Sequence, residues 1–246
     1  MSIKHLRLEG KVAIITGAAG GIGEEAARLF VENGAFVVIA DVQDELGDQV
    51  VASIGSDKAC YKHCDVRDEK QVEETVAYAL EKYGTLDIVY SNAGILGSLR
   101  GILDLDMASF KNTMAINVCG GATMIKHAAR AMIARKIRGS IVLTASIAAT
   151  RGGLAPHAYT ASKHAVLGVV RSASRELGVY GIRVNCVSPF GVATPMSCKG
   201  VVLKARDIAE AALFLASNES GCISGHDLVV DGGLTISCNV FPIDAK

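Results

Sequence analysis

Tryptophan is absent, and only 4 of the 246 residues are proline, against 26 glycines. So little proline argues against a stiff linker or stalk, and so much glycine points to tight turns between packed elements. An excess of charge is missing as well. The 25 Lys and Arg offset 25 Asp and Glu, giving a formal charge of zero and an isoelectric point near 7.0. That removes the electrostatic footprint of a nucleic-acid partner. No run reaches the roughly 18 apolar residues of a membrane span. Residues 1–10 lack the apolar stretch of a secretory signal. No repeat, low-complexity tract or CxxC pair occurs. The seven cysteines are an odd number, at Cys60, Cys64, Cys119, Cys186, Cys198, Cys222 and Cys238. Cys60 and Cys64 flank His63, but strand alternation does not easily converge the three on one metal, so no metal site is expected. Free thiols fit a reducing compartment, and the cytoplasm is the expected address.

What is present is apolar. Hydrophobic residues make up 50% of the chain and charged residues 20%, which suits a large core and excludes disorder. Apolar runs alternate with helical patterns. Lys11–Thr16, Ala35–Ala40, Lys58–His63, Leu86–Ser91, Ser140–Ala145, Ile182–Val187 and a last run including Asp227–Val230 read as strands. Helices are expected from the glycines after Thr16 to Asn33, from Asp68 to Gly84, over about 105–137 with a break at Gly120–Gly121, over 156–179 and over 206–217. Strands without polar alternation are buried on both faces, which requires helices above and below a parallel sheet. The expectation is one doubly wound α/β (Rossmann) domain over residues 1–246, with about seven parallel strands. Ligands should bind at the carboxyl ends of those strands.

Gly17, Gly21 and Gly23 lie between the first strand and a helix. Glycine there lets backbone approach a pyrophosphate, and the helix amino end supplies free N–H groups and partial positive charge. A glycine turn can also serve only to pack helix on strand, but the strand–turn–helix context favours the phosphate site. Asp41 ends the second strand, where a carboxylate can accept both ribose hydroxyls of adenosine and would repel a 2′-phosphate. Ala18 and Ala19 offer no compensating cation, so NAD is expected over NADP.

Tyr159 and Lys163 are four apart on a predicted helix and share a face. Tyr78 and Lys82 have the same spacing and read as a surface pair. What distinguishes Tyr159 is Ser146, at the carboxyl end of the fifth strand. In order, Thr16–Gly23, Asp65, Asn92-Ala93-Gly94, Asn117, Ser146, Tyr159, Lys163 and Pro189–Thr194 resemble the motif set of the short-chain dehydrogenase/reductase family. The chemistry is coherent on its own terms. An alcohol loses a proton while its carbon gives up a hydride. Bringing a tyrosine from a pKa of about 10 toward neutrality needs about 4 kcal/mol of phenolate stabilisation. A Lys163 cation one turn away, with an oxidised nicotinamide, is a reasonable source.

The resemblance implies further roles. Ser146 would hold the substrate oxygen and Tyr159 would be the base. Lys163 would also meet the nicotinamide ribose, and Asn117 would serve a water-linked proton relay. Ile22 and Val42 would flank the cofactor, Asp65 and Val66 the adenine, and Val192 and Thr194 the carboxamide. Ser91 departs mildly from a common Asn. Phe190 is an insertion typical of a plant subgroup that includes secoisolariciresinol, isopiperitenol and borneol dehydrogenases and nepetalactol-related enzymes. A hydrophobic secondary alcohol or lactol, of monoterpenoid type, is the implied substrate. Ile95, Leu96, Ile147, Gly152, Leu154 and Met196 are candidate apolar contacts, or core or interface residues. Only 11 residues, 195–205, stand where such proteins usually carry a longer substrate lid. Two other readings compete: a non-redox cyclase or isomerase holding NAD as a scaffold, and a non-catalytic NAD-binding regulator. The intact Ser146, Tyr159 and Lys163 argue against the regulator. The tail after Gly233 carries Leu234, Ile236, Val240, Phe241 and Ile243. Such an apolar terminus, with small residues such as Gly121, Ala128 and Ala165 on the long helices, predicts a homotetramer of 222 symmetry with the tail at an interface near a neighbour's active site.

Overall fold

A computed structural model describes residues 6–191 and 203–236. Seven strands form one sheet: β1 (Val12–Thr16), β2 (Phe36–Asp41), β3 (Ala59–His63), β4 (Ile88–Ser91), β5 (Ser140–Thr144), β6 (Arg183–Pro189) and β7 (Asp227–Val230). Their order is β3-β2-β1-β4-β5-β6-β7 and every pairing is parallel. This is the expected doubly wound α/β domain. The chain leaves β1 toward one edge and returns to its other side at β4. A crevice therefore opens at the carboxyl ends of β1 and β4.

The strand sequences explain the layers. Alternate residues Ile14, Val38, Val89 and Ile141 pack on one face, with α3 (Glu69–Tyr83), α5 (Gly121–Ala134) and α6 (His157–Leu177). Their neighbours Ile15, Ile39, Tyr90 and Val142 pack on the other, with α1 (Gly21–Glu32) and α7 (Ala205–Ala216). Helix α3 begins as its sequence suggests. The Asp68 carboxylate accepts from the backbone N–H groups of Lys70 and Gln71, and Gly84 closes the helix with a left-handed φ of 78°. The Gln71 side chain, however, reaches back to the backbone N–H of Asp65 rather than to that of Asp68.

Two readings need correction and a third needs sharpening. A helix, α2 (Asp44–Ile54), occupies a stretch that the sequence pattern leaves unassigned. Its Val50 is buried and Val51 and Ile54 pack half-buried on the same core, but Gly47 at its centre weakens the local helix signal. The long helical region is interrupted near Gly120–Gly121, as expected, but by a change of winding and not by a chain break. It runs as α4 (Met107–Met114), then π-helical turns over Ala115–Gly120, then α5. The extra residue of such turns swings side chains out of register, and they recur at functional sites. Tyr78 and Lys82 are not a simple surface pair: Tyr78 is half-buried against the core, with the Lys82 ammonium 5.8 Å from its ring.

Cys60 and Cys64 are buried, whereas His63 is turned to Asp44, its Nδ1 lying 2.7 Å from Oδ1. Among the described residues no His, Cys, Asp and Glu group is arranged to hold a metal. Cysteines 60, 64, 119, 186 and 222 are free thiols. No helix among the described residues is long and apolar enough to cross a membrane. Val192, Thr194, Met196 and most of 195–205 lie outside the described residues, as do Val240, Phe241 and Ile243.

Candidate active site

Threonine 16 sets the site's frame. Its hydroxyl accepts from the backbone N–H of Asn92 and Ala93 at 3.0 and 3.1 Å, tying the end of β1 to the end of β4. The Asn92 amide donates back to the carbonyls of Thr16 and Gly17 at 3.2 and 3.1 Å. Its carbonyl oxygen accepts from the Thr144 hydroxyl at 3.0 Å, which extends the tie to β5. Three strand ends are thus fixed by side chains beside the crevice, with no ligand needed.

The glycine loop follows from the same crowding. A Cβ on Gly17 would lie 2.8 Å from the Ala93 Cα, and one on Gly23 would lie 2.2 Å from the Gly17 carbonyl. Gly17 and Gly21 both adopt positive φ, 64° and 58°. Gly20 and Gly21 have open space in front of them. Helix α1 starts with no side-chain cap, so its first N–H groups are not occupied by its own residues. Asp41 is buried rather than a solvated turn residue. Its Oδ2 accepts from the Ala19 backbone N–H at 3.0 Å and its Oδ1 from that of Gln43 at 3.1 Å. One carboxylate oxygen thereby braces the loop and still has a lone pair to offer.

A cavity of about 680 Å³ runs along these groups. Gly17, Gly20, Ile22, Asp41, Asp65, Arg67, Asn92, Gly94, Tyr159 and Lys163 all border it. Its glycine cradle and uncapped helix end suit a dinucleotide. Of the proposed substrate contacts, Ile95 and Leu96 border it. Ile147 is buried, and Gly152 and Leu154 are exposed on the loop after Ser146; none of these three borders it.

Ser146 sits just beyond β5, its hydroxyl accepting from the Ala148 backbone at 3.2 Å and hydrogen-bonded to Tyr159. Lys163 is 3% exposed, and its ammonium donates to the Thr144 carbonyl at 2.7 Å, 5.3 Å from the centre of the Tyr159 ring. Asn117, on the π-helical turns, is fully engaged. Its amide nitrogen donates to the Ile95 carbonyl and the Ser162 hydroxyl, and its Oδ1 accepts from the Ile95 backbone at 2.8 Å. Gly94 lies against both groups: a Cβ there would be 3.3 Å from the Asn117 Oδ1 and 3.6 Å from the Lys163 Nζ.

The electrostatics differ from the sequence expectation. Burial raises the Tyr159 pKa above the ordinary phenol value, and only the Ser146 hydrogen bond opposes it. The Lys163 ammonium is tied to the Thr144 carbonyl instead of to the phenol oxygen. The chain's own groups therefore do not create a phenolate. Lys163 is itself pushed down, to about 8, by burial. Below that pH the folded protein carries a buried ammonium, and between about 8 and the unfolded value of about 10.4 the unfolded chain binds the extra proton. Stability should therefore rise with pH across that window. Replacing Lys163 by Met is expected to remove this rise. Its maximum is on the order of 3 kcal/mol, the full shift at about 1.4 kcal/mol per unit. Denaturant midpoints at pH 7 and pH 10 check it; equal pH slopes in the two proteins would contradict it.

Several bordering residues were missed in the sequence, among them Gln43, Ile116, Thr144, Arg67 and Asn112. The side chains of Arg67 and Asn112 meet at 3.0 Å across 45 positions, a tertiary pairing with no local signal.

The comparisons agree with this geometry. A family model described as enoyl-(acyl carrier protein) reductase matches residues 17–235. Short-chain dehydrogenase reductase 3b of Arabidopsis thaliana is 56% identical over 250 residues, covering 94% of this chain and 97% of that protein. Borneol dehydrogenase, mitochondrial, of Lavandula x intermedia is 49% identical over 253 residues, 96% of each chain. Zerumbone synthase of Zingiber zerumbet is 48% identical over 260 residues, covering 94% of this chain and 97% of that one. With near-complete coverage, this identity and a parallel seven-stranded sheet, the chain belongs to the short-chain dehydrogenase/reductase family of oxidoreductases, which work with a nicotinamide cofactor, NAD or NADP.

Proposed function

We propose that this protein oxidises a hydrophobic secondary alcohol or lactol, of monoterpenoid type, and that its cofactor is NAD. The observation that carries the reading is one cavity bordered by the glycine loop and Asp41 and also by Tyr159 and Lys163. The bound cofactor would supply the hydride acceptor. Gly17, Gly20, Gly21, Ile22 and Gly23 would hold its pyrophosphate, Asp41 and Val42 the adenosine ribose, Asp65 and Val66 the adenine, and Val192 and Thr194 the carboxamide. Ser146 would bind the substrate oxygen. Tyr159 would take the hydroxyl proton once the added positive charge of the oxidised nicotinamide offsets its burial. Lys163 would meet the nicotinamide ribose, and Asn117 would anchor the water relay through the Ile95 backbone. The names of the lavender and ginger relatives support an apolar substrate.

The preference for NAD rests on Asp41 and on the lack of a free cation beside it. Of the cations bordering the same cavity among the described residues, Arg67 is committed to the Asp65 carboxylate and Lys163 to the Thr144 carbonyl. Oxidation of a panel of terpenoid alcohols and lactols tests both parts. NAD is expected to give at least about tenfold higher kcat/KM than NADP, equivalent to about 1.4 kcal/mol. Asp41→Ala should narrow the gap, and a wild-type preference for NADP would sink the proposal.

A homotetramer belongs to the same reading. A groove of about 520 Å³ between α5 and α6 is lined by Ala122, Ile125, Ala129, Ile133 and Ala173 together with Lys126, Arg130 and Glu176, a mixed apolar and charged surface. Arg151 donates to the Thr235 carbonyl at the start of the tail, and the apolar tail beyond it would lie at an interface near a neighbour's active site. Light scattering is expected to give about four times the 25.7 kDa chain mass, and a stable monomer would contradict it. The cytoplasmic placement rests on the free thiols, which suit any reducing compartment; the lavender relative is mitochondrial by name.

A further inference from the structure

Arg67 follows β3 and borders the cavity with Asp65, Val66 and Asn112. Its guanidinium is held on two edges. Nε donates to Oδ1 and Oδ2 of Asp65 at 3.0 and 2.9 Å, Nη2 donates to Oδ2 at 2.5 Å, and Nη1 donates to the Asn112 Oδ1 at 3.0 Å. The Arg67 backbone N–H adds a further bond to Asp65 at 3.0 Å. A guanidinium pinned along its edges has its flat faces left to offer, and half of this side chain remains exposed. A flat cationic surface of this kind takes an aromatic ring by stacking. The opposite charge beside it also keeps Asp65 ionised as an acceptor for an exocyclic amine.

We propose that Arg67, locked by Asp65 and Asn112, is a positioning residue that stacks on the purine base of the dinucleotide. This rests on reading the cavity as a dinucleotide site. The Asn112 link has a second consequence. Asn112 lies on α4, which continues into the turns carrying Asn117, so seating the base steadies the helix that anchors Ile95. Specificity at this end follows from shape: a purine has the area to cover the guanidinium, and a bare ribose phosphate has not.

Calorimetric titration with AMP tests the proposal without turnover. Arg67→Ala is expected to weaken AMP binding about tenfold. Arg67→Lys, which keeps the charge and loses the plane, should fall to within about twofold of Arg67→Ala, and Asn112→Ala should lie between wild type and these two. In kinetics the Arg67 variants should raise KM for NAD by about the same factor with kcat changed far less. Wild-type AMP binding with an unchanged Arg67→Ala titration overturns the proposal alone, as does full recovery by Lys, which would leave only a charge. Wild-type protein that binds no AMP overturns the dinucleotide reading and this proposal with it. Circular dichroism at the titration temperature confirms that each variant is folded.

Discussion

Replacing Tyr159 by Phe is expected to lower oxidative turnover at least about a hundredfold, the low end of what a positioned acid–base group contributes. The substitution removes one oxygen. The ring keeps its place on α6, where the Lys163 ammonium sits 5.3 Å from its centre. What is lost is the group hydrogen-bonded to Ser146 and the only phenol bordering the cavity among the described residues. Since AMP lacks the nicotinamide half that Tyr159 would face, AMP affinity should stay within about twofold of wild type. The decisive comparison is kcat against AMP binding in one preparation. Near-normal oxidation by the Phe variant would remove Tyr159 from the chemistry. A parallel fall in AMP affinity would mean that the site had merely been distorted.

A methyl group at Gly23 is expected to be nearly as damaging, by another route. Its Cβ would stand 2.2 Å from the Gly17 carbonyl oxygen and 2.7 Å from the Asn92 amide nitrogen. Neither neighbour can yield cheaply. The carbonyl is backbone in the loop, and Asn92 is bonded to Thr16, Gly17 and Thr144. The loop must move, and with it the turn that Asp41 braces through Ala19. Gly23→Ala should lose about 1–3 kcal/mol of stability, in the range of overpacked interiors. AMP should bind at least about tenfold more weakly, equivalent to about 1.4 kcal/mol. Gly101→Ala, with open space at its Cβ, is the matching control and should change neither. Thermal melts and AMP titrations of both variants check this. A Gly23→Ala protein with wild-type affinity would show that the loop does not cradle the ligand.

Local signals made most of the frame legible. Runs such as Val12–Thr16 and Phe36–Asp41 lack polar alternation because both faces are covered, and a parallel sheet follows from that. Asp68 and Gly84 bounded α3 because a cap and a left-handed stop are single-residue chemistry. Helix α2 escaped because Gly47, a poor helix residue, sits at its centre for a tertiary reason. A side chain there would strike the Tyr61 ring at 2.2 Å. The π-helical turns escaped because nothing local in Ala115–Gly120 demands them. Asn117 is held by Ile95 and Ser162, 22 and 45 positions away. Serine 146, Tyr159 and Lys163 were found by order and spacing. Their electrostatics were not, since the burial that raises the phenol and lowers the amine belongs to the packed interior. No local signal marks Arg67, because the Asn112 that holds its far edge is 45 positions away.

Hydride transfer is the central claim, and isotope tracing addresses it most directly. A terpenoid alcohol found active in the panel is prepared with deuterium at its carbinol carbon and incubated with the protein and NAD. In the proposed reaction that carbon–deuterium bond would break, Tyr159 would take the hydroxyl proton, and the bound cofactor would supply the acceptor for the deuterium and its electron pair. The account predicts one deuterium in the recovered reduced nicotinamide for each ketone or lactone formed. Product that accumulates while NAD stays oxidised, with all of the deuterium retained in the terpenoid, would contradict it and identify the chain as a cyclase or isomerase instead.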